Sequence, residues 1–153
     1  MEVVAYIALG ANLGDREANI RSALDKLNRT PGVAVTKVSP LMENPAVGGP
    51  PDSPAFLNAA AQFLTSLSAP ALLNRLLEIE HEIGRIRREK WGPRPIDLDL
   101  LLYDDQVLKV PGLTLPHPLM HQRRFVLEPL AQIAPEAMHP ILKRTIADLL
   151  HDL

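Results

Sequence analysis

Ile96-Asp97-Leu98-Asp99-Leu100 alternates apolar and acidic residues and runs on into Leu101-Leu102-Tyr103. This pattern constrains the fold most, because side chains alternate faces along a β-strand. Ile96, Leu98 and Leu100 should meet an apolar layer, while Asp97 and Asp99 share the opposite face. The two aspartate Cα atoms would lie about 6.5 to 7 Å apart, twice the rise per strand residue. Both carboxylates could then lean on one hard cation, or on two held close together. The plain alternative is a half-buried strand whose outer face is wet.

The preceding elements say which face is covered. Val3 to Leu9 is a β-branched and apolar run ending at Gly10, and reads as a central strand. After the turn Gly10-Ala11-Asn12-Leu13-Gly14, Asp15 caps a helix to about Asn28, with Ile20, Ala23, Leu24 and Leu27 as its buried stripe. Val33 to Val38 alternates as a second strand, and Phe56 to Leu64 reads as a third. Between them, Pro40, Pro45, Gly48, Gly49, Pro50, Pro51 and Pro54 predict an irregular loop of a length that usually carries function. Ser68 and Pro70 start a second helix, buried through Leu72, Leu73, Leu76, Ile79 and Ile83, and Gly84 stops it. The order is β-α-β-β-α-β, the ferredoxin-like α+β pattern: an antiparallel sheet with two helices on one face. Asp97 and Asp99 are therefore expected on the uncovered face, in a cleft framed by residues 40–55 and 84–95. The tail adds irregular structure, a helix near Gln122 to Gln132 and a closing helix from about Thr145, in one domain spanning 1–153.

Gly84-Arg85-Ile86-Arg87-Arg88-Glu89-Lys90-Trp91-Gly92-Pro93-Arg94 brings five cations next to the acid pair, and Arg123-Arg124 adds two. Carboxylates that hold magnesium, beside arginines that take up phosphate charge, suit a polyphosphate. Gly84 and Gly92 are candidate hinges of a lid. The alternative is a solvated basic loop. Glu80 falls on the apolar stripe of the second helix, so it must find a partner or face a site. The Gly10 turn matches neither a dinucleotide fingerprint nor a Walker A sequence and reads first as a tight turn, with Asn12 its best hydrogen-bonding member. Phe56 and Asn58 share a strand face; with Trp91 and Phe125 they could enclose a flat heteroaromatic ring whose edge an amide reads. His117 and His121 have the i, i+4 spacing of a metal pair, but Pro116 and Pro118 oppose a helix there. His117 reads better as a donor to phosphate, and His81, His139 and His151 as surface residues.

Together these segments resemble the 6-hydroxymethyl-7,8-dihydropterin pyrophosphokinase family. The resemblance is carried by Ala8 to Gly14, Phe56 to Ala60, Gly84 to Arg87, Leu115 to Pro118 before Arg123-Arg124-Phe125, and most specifically by Trp91 to Asp99. It implies pyrophosphate transfer from ATP to a pterin alcohol in the folate pathway, with AMP released. It implies two magnesium ions on Asp97 and Asp99, catalytic contacts from Arg85 and Arg87, and ATP contacts from Glu80, Arg87, Arg94, Thr114, His117 and Arg123. The pterin would meet Asn44, Pro45, Val47, Phe56, Asn58, Trp91 and Phe125. The chain departs from some members at Phe56, where Tyr can stand, at Pro118, where an aromatic can, and at Lys90, where Arg can.

Composition narrows the remaining choices. A formal charge of -2 and six aromatics (one Trp, two Tyr, three Phe) argue against an RNA-binding sheet, which needs exposed stacking aromatics and a basic face. No cysteine means no disulfide, thiolate metal site or cysteine nucleophile. With no apolar run approaching about 20 residues, the expectation is a cytoplasmic monomer that acts on small molecules, with no nucleic-acid or membrane partner. A different magnesium-dependent phosphoryl or nucleotidyl transferase remains the competing enzyme class.

Overall fold

The structure is a computed structural model that describes residues 2–45, 55–84 and 95–153. Its elements are β1 (Val3–Ala11), α1 (Arg16–Asn28), β2 (Val33–Val38), β3 (Met42–Asn44), β4 (Phe56–Thr65), α2 (Ala69–Glu82), β5 (Asp97–Tyr103), β6 (Leu108–Val110), β7 (Leu113–Leu115), α3 (Arg124–Ile133) and α4 (Ile146–His151), with a 3-10 turn at Met120–Gln122. Strand order is β2-β4-β1-β5, antiparallel throughout, and β3 continues β2's line along β4. The expected βαββαβ core and its ferredoxin-like fold are present.

Local chemistry sets the boundaries. The Asp15 carboxylate accepts from the Ala18 N–H and the Ser68 hydroxyl from the Ala71 N–H, each satisfying a helix-start donor that lacks an intrahelical partner. Helices α1 and α2 lie on one face of the sheet. Ile20, Ala23, Leu27, Leu72, Leu76 and Ile79 pack there with Ile7 and Leu9 of β1, Phe63 of β4, and Ile96, Leu98 and Leu100. Phe63 is fully buried, and truncating such a residue costs roughly 3–5 kcal/mol.

The opposite face differs from the expectation of an uncovered sheet. Met120, Val126, Leu127 and Leu130, with Ile146 and Leu149, build a second apolar cluster with Ala60, Leu101 and Leu102. Thus α3 and α4 cover part of that face. Strand β5 serves both layers through a register shift: Ile7 pairs with Leu100 but Tyr6 with Leu102. The extra residue, Leu101, breaks the alternation, so Leu100 faces the first cluster while Leu101 and Leu102 both face the second.

Three further expectations are corrected. Residues 40–55 are not wholly irregular, since Met42–Asn44 pairs with Asn58, Leu57 and Phe56. The stretch after Tyr103 contains the β6–β7 hairpin. The helix placed at Gln122–Gln132 runs Arg124–Ile133.

Candidate active site

Register places the site residues in rows. Asn58 pairs with Gly10, and Gly10 with Asp97, so these three positions line up across β4, β1 and β5 on one face. The next row is Ala60, Ala8 and Asp99. Glycine and alanines therefore separate an amide on one strand from two carboxylates on another, about 10 Å away across two strand spacings. Small side chains keep this floor low. A Cβ on Gly10 would sit 3.0 Å from Asn58 Nδ2 and 3.4 Å from Phe56 Cδ1, so glycine here admits both side chains.

On the amide side, Asn44 and Phe56 are partners across β3 and β4. Asn44 Nδ2 donates to Asn58 Oδ1 at 3.1 Å, which leaves Asn58 Nδ2 as donor and Asn44 Oδ1 as acceptor at the site. Asn58 is only 7% exposed and Phe56 is half-buried. Pro45 follows on the surface.

On the carboxylate side, β5 is an edge strand among the described residues, with β1 as its neighbour in the sheet. The Leu98 N–H, between the two aspartates, donates to Glu80 Oε2 at 2.8 Å, and Glu80 is 4% exposed. Further along the same strand, the His117 N–H donates to the Leu101 carbonyl at 3.0 Å, after a cis Leu115–Pro116 bond. That contact brings the His117 ring to Asp99 and Arg123. Burial pushes its pKa below the ordinary histidine value and Arg123 pushes the same way, against the opposing pull of Asp99. Burial thus favours the neutral ring. Its Nδ1 accepts from the Leu119 N–H at 3.2 Å, so the hydrogen-bond network assigns the proton to Nε2, which is left as a donor. Arg123 is the N-cap residue that precedes α3, with its guanidinium carbon 5.7 Å from the Phe125 ring centre. Phe125 packs against the second apolar cluster, as Ala8 does. Thr114 is exposed on β7, opposite Lys109.

The structure thus gathers Asn44, Phe56, Asn58, Asp97 and Asp99 on one end of one sheet face, with His117, Arg123 and Phe125 arriving from the partly covering layer. Val47, Arg85, Arg87, Trp91, Gly92 and Arg94 lie outside the described residues. Among the described residues, no three His, Asp or Glu side chains converge as a metal cage. Two hard carboxylates fit magnesium, which takes one or two carboxylates and completes its shell with water and substrate phosphates. His121 does not pair with His117; it meets His139 edge to face, with ring centres 6.1 Å apart. His139 is 3% exposed, which corrects its assignment to the surface.

Sequence reading missed Arg16, Ser39 and the low floor. Arg16 reaches residues 27 and 39 positions away, which no local signal announces. Ser39 bridges β2 and β3: its hydroxyl accepts the Ala60 N–H at 2.8 Å while its own N–H donates to the Ala60 carbonyl. The small residues Ala8 and Gly10, spaced by two along β1, were the available hint of the floor.

An antiparallel α+β sheet thus carries a carboxylate pair on β5 and an aromatic–amide pair on β4, with Gly10 and Ala8 of β1 between them. Residues 6–135 match the family model for 7,8-dihydro-6-hydroxymethylpterin-pyrophosphokinase (HPPK). The chain is 47% identical over 133 residues to the 2-amino-4-hydroxy-6-hydroxymethyldihydropteridine pyrophosphokinase of Bacillus subtilis, covering 87% of this chain and 79% of that protein. It is 42% identical over 149 residues to the Synechocystis protein of the same name, covering 97% and 75%. A crystal structure of Plasmodium falciparum HPPK-DHPS, wild type with pterin and p-hydroxybenzoate, shares the fold with a TM-score of 0.77 at 16% identity; the likeness covers 99% of this chain and 43% of that longer one. The chain belongs to the 7,8-dihydro-6-hydroxymethylpterin-pyrophosphokinase family, the pyrophosphokinases of folate biosynthesis.

Proposed function

We propose that this protein, as a single domain over 1–153, transfers the terminal pyrophosphoryl group of ATP to 6-hydroxymethyl-7,8-dihydropterin. The observation that carries the proposal is the Asn58–Gly10–Asp97 row with its Ala60–Ala8–Asp99 neighbour. At one end it offers a bed for a flat ring, and at the other two carboxylates that would hold magnesium for a phosphate chain. The pterin's pyrimidinone edge presents N–H donors beside a carbonyl acceptor. Asn44 Oδ1 and Asn58 Nδ2 present the complementary pair, and Phe56 and Phe125 supply stacking faces.

In the reaction, the hydroxymethyl oxygen attacks the β-phosphorus in line. The bond from that phosphorus to the α–β bridging oxygen breaks, AMP leaves with the oxygen, and the hydroxyl proton passes to solvent. Asp97 and Asp99 would hold up to two magnesium ions, which when bound neutralise charge on the phosphate oxygens. His117 would donate from Nε2 without bringing a charge of its own, and Arg123 would bring one. Arg85, Arg87 and Arg94 would clamp the remaining phosphate charge, Thr114 would meet the nucleotide, and Trp91, Pro45 and Val47 would border the pterin. Glu80 acts through the Leu98 backbone rather than by touching phosphate. Positioning and fixed charge supply most of the acceleration in such transfers. A monomer acting in the cytoplasm is the working unit we propose.

The test is AMP formation from ATP, magnesium and the pterin alcohol. Turnover should stop with excess chelator and return with magnesium. Asp97→Asn, which keeps shape and removes charge, should lower kcat by roughly a hundred- to a thousandfold, the scale of losing several kcal/mol of charge stabilisation. Absence of pterin-dependent AMP from the wild type overturns the proposal.

A further inference from the structure

Arg16 is the first residue of α1, and its side chain leaves the helix toward the β3–β4 pair. Nη1 donates to the Ala55 carbonyl at 2.9 Å, and Nη2 donates to Glu43 Oε2 at 3.0 Å. Ala55 immediately precedes Phe56, and Glu43 immediately precedes Asn44. Phe56 and Asn44 are themselves cross-strand partners. One guanidinium therefore grips the chain next to both members of the pair that flanks the amide end of the site.

The surroundings make such a grip consequential. Strand β3 has three residues and, among the described residues, pairs with β4 alone, and three residues are too few to fix their own register. Asn44 must keep its amide against Asn58, and Phe56 its ring beside Gly10, for a flat ligand to be read at its edge. A planar fork with two donors in fixed directions holds two acceptors at a set spacing, which a lysine cannot do. As an ion pair alone the contact would be worth little, because the Arg16 and Glu43 side chains are 31% and 62% exposed. Its value lies in geometry.

We propose that Arg16 is a positioning residue for the pterin. Acting through Glu43 and Ala55, it sets the spacing of Asn44 and Phe56, and so governs pterin affinity but not nucleotide affinity. This inference rests on the pterin reading of the site.

Arg16→Met keeps the apolar stem and removes both donors. Arg16→Lys keeps charge and loses the fork. Glu43→Gln removes charge and keeps an acceptor. Steady-state kinetics and equilibrium titration should show KM and Kd for the pterin raised about tenfold in Arg16→Met, the scale of one charge-assisted hydrogen bond. Most of that loss should persist in Arg16→Lys, and little of it appear in Glu43→Gln. The Kd for a non-hydrolysable ATP analogue with magnesium should stay within about twofold of wild type. A purely structural role would lower pterin and nucleotide affinity together with the melting temperature, and that result overturns the proposal. So does an active wild type whose pterin KM is unchanged in Arg16→Met; if that variant does not fold, Arg16→Lys decides on the same readouts. A wild type that releases no pterin-dependent AMP instead refutes the pterin reading, a distinct outcome.

Discussion

Gly10 carries no side chain because the neighbouring strand already fills the space a Cβ would take. Asn58 Nδ2 and Phe56 Cδ1 stand 3.0 and 3.4 Å from that point. The conflict is steric and local, since the Gly10 backbone is ordinary strand within β1. Gly10→Ala therefore has two opposed effects. A strand alanine loses less chain entropy on folding than glycine, which favours the folded state by about 0.4–1 kcal/mol. The new methyl must displace the Asn58 amide or the Phe56 ring, both of which are proposed to meet the pterin. The expected outcome is a melting temperature near that of wild type with pterin affinity down about tenfold, the size of a misplaced hydrogen bond. Calorimetric titration beside a thermal melt checks it. A parallel loss of stability and affinity would show that the strand, rather than the ring bed, had been damaged.

At the scale of the element, β5 depends on one buried carboxylate. It is an edge strand among the described residues, and Glu80 supplies the acceptor that a further strand would have given the Leu98 N–H. Glu80→Gln keeps an acceptor of the same shape, whereas Glu80→Leu leaves the amide buried without one. The leucine variant should lose about 1–3 kcal/mol of stability, seen as a lower denaturant midpoint, and the glutamine variant distinctly less. Equal losses would mean that charge, not the hydrogen bond, is what β5 needs. The sequence announced Glu80 as an acid on an apolar helix stripe but could not name its partner, because Leu98 lies 18 residues away and the contact exists only once α2 packs on the sheet. The same division runs through the fold. Alternation correctly sent Ile96, Leu98 and Leu100 to the helices and both aspartates to the other face. It failed at Leu101, where the register with β1 inserts a bulge that no period of two contains. Strand β3 was hidden for a related reason: three residues between prolines acquire strand geometry from β4, not from their own pattern. Helix α3 was legible as a helix, yet nothing local says which face of a sheet such a helix will cover.

At the scale of the molecule, the layer made by α3 and α4 carries Arg123 and Phe125 to the site, so its integrity sets their distance from the aspartates. His139 lies buried within the loop that joins those helices, with Nδ1 accepting from the N–H groups of Ile141 and Leu142 at 3.2 and 3.1 Å. A protonated ring would have to turn that acceptor into a donor facing two donors. Burial pushes the His139 pKa below its ordinary value, and His121, edge-on beside it, adds to the effect. The backbone groups of Lys143 and Arg144 also meet the His139 backbone, and their cationic side chains are exposed. Because the folded-state pKa is lowered, the unfolded chain binds the proton more readily. His139 thus favours folding fully at neutral pH, and this contribution declines as pH falls below the unfolded value of about 6.5, by at most about 1.4 kcal/mol per pH unit for one proton. His117 acts in the same sense for its own reason, burial beside Arg123. His139→Asn places an oxygen acceptor where the ring nitrogen was and cannot titrate. Thermal melts of both proteins between pH 8 and about 5 should therefore converge toward the acid end, with the difference isolating His139 from His117. Activity should follow stability down, since a loosened α3 displaces Arg123 and Phe125 while leaving the carboxylates on β5 in place. Parallel melting curves, offset equally at every pH, would show that His139 serves the layer as a hydrogen-bond acceptor alone and that acid weakens the molecule elsewhere.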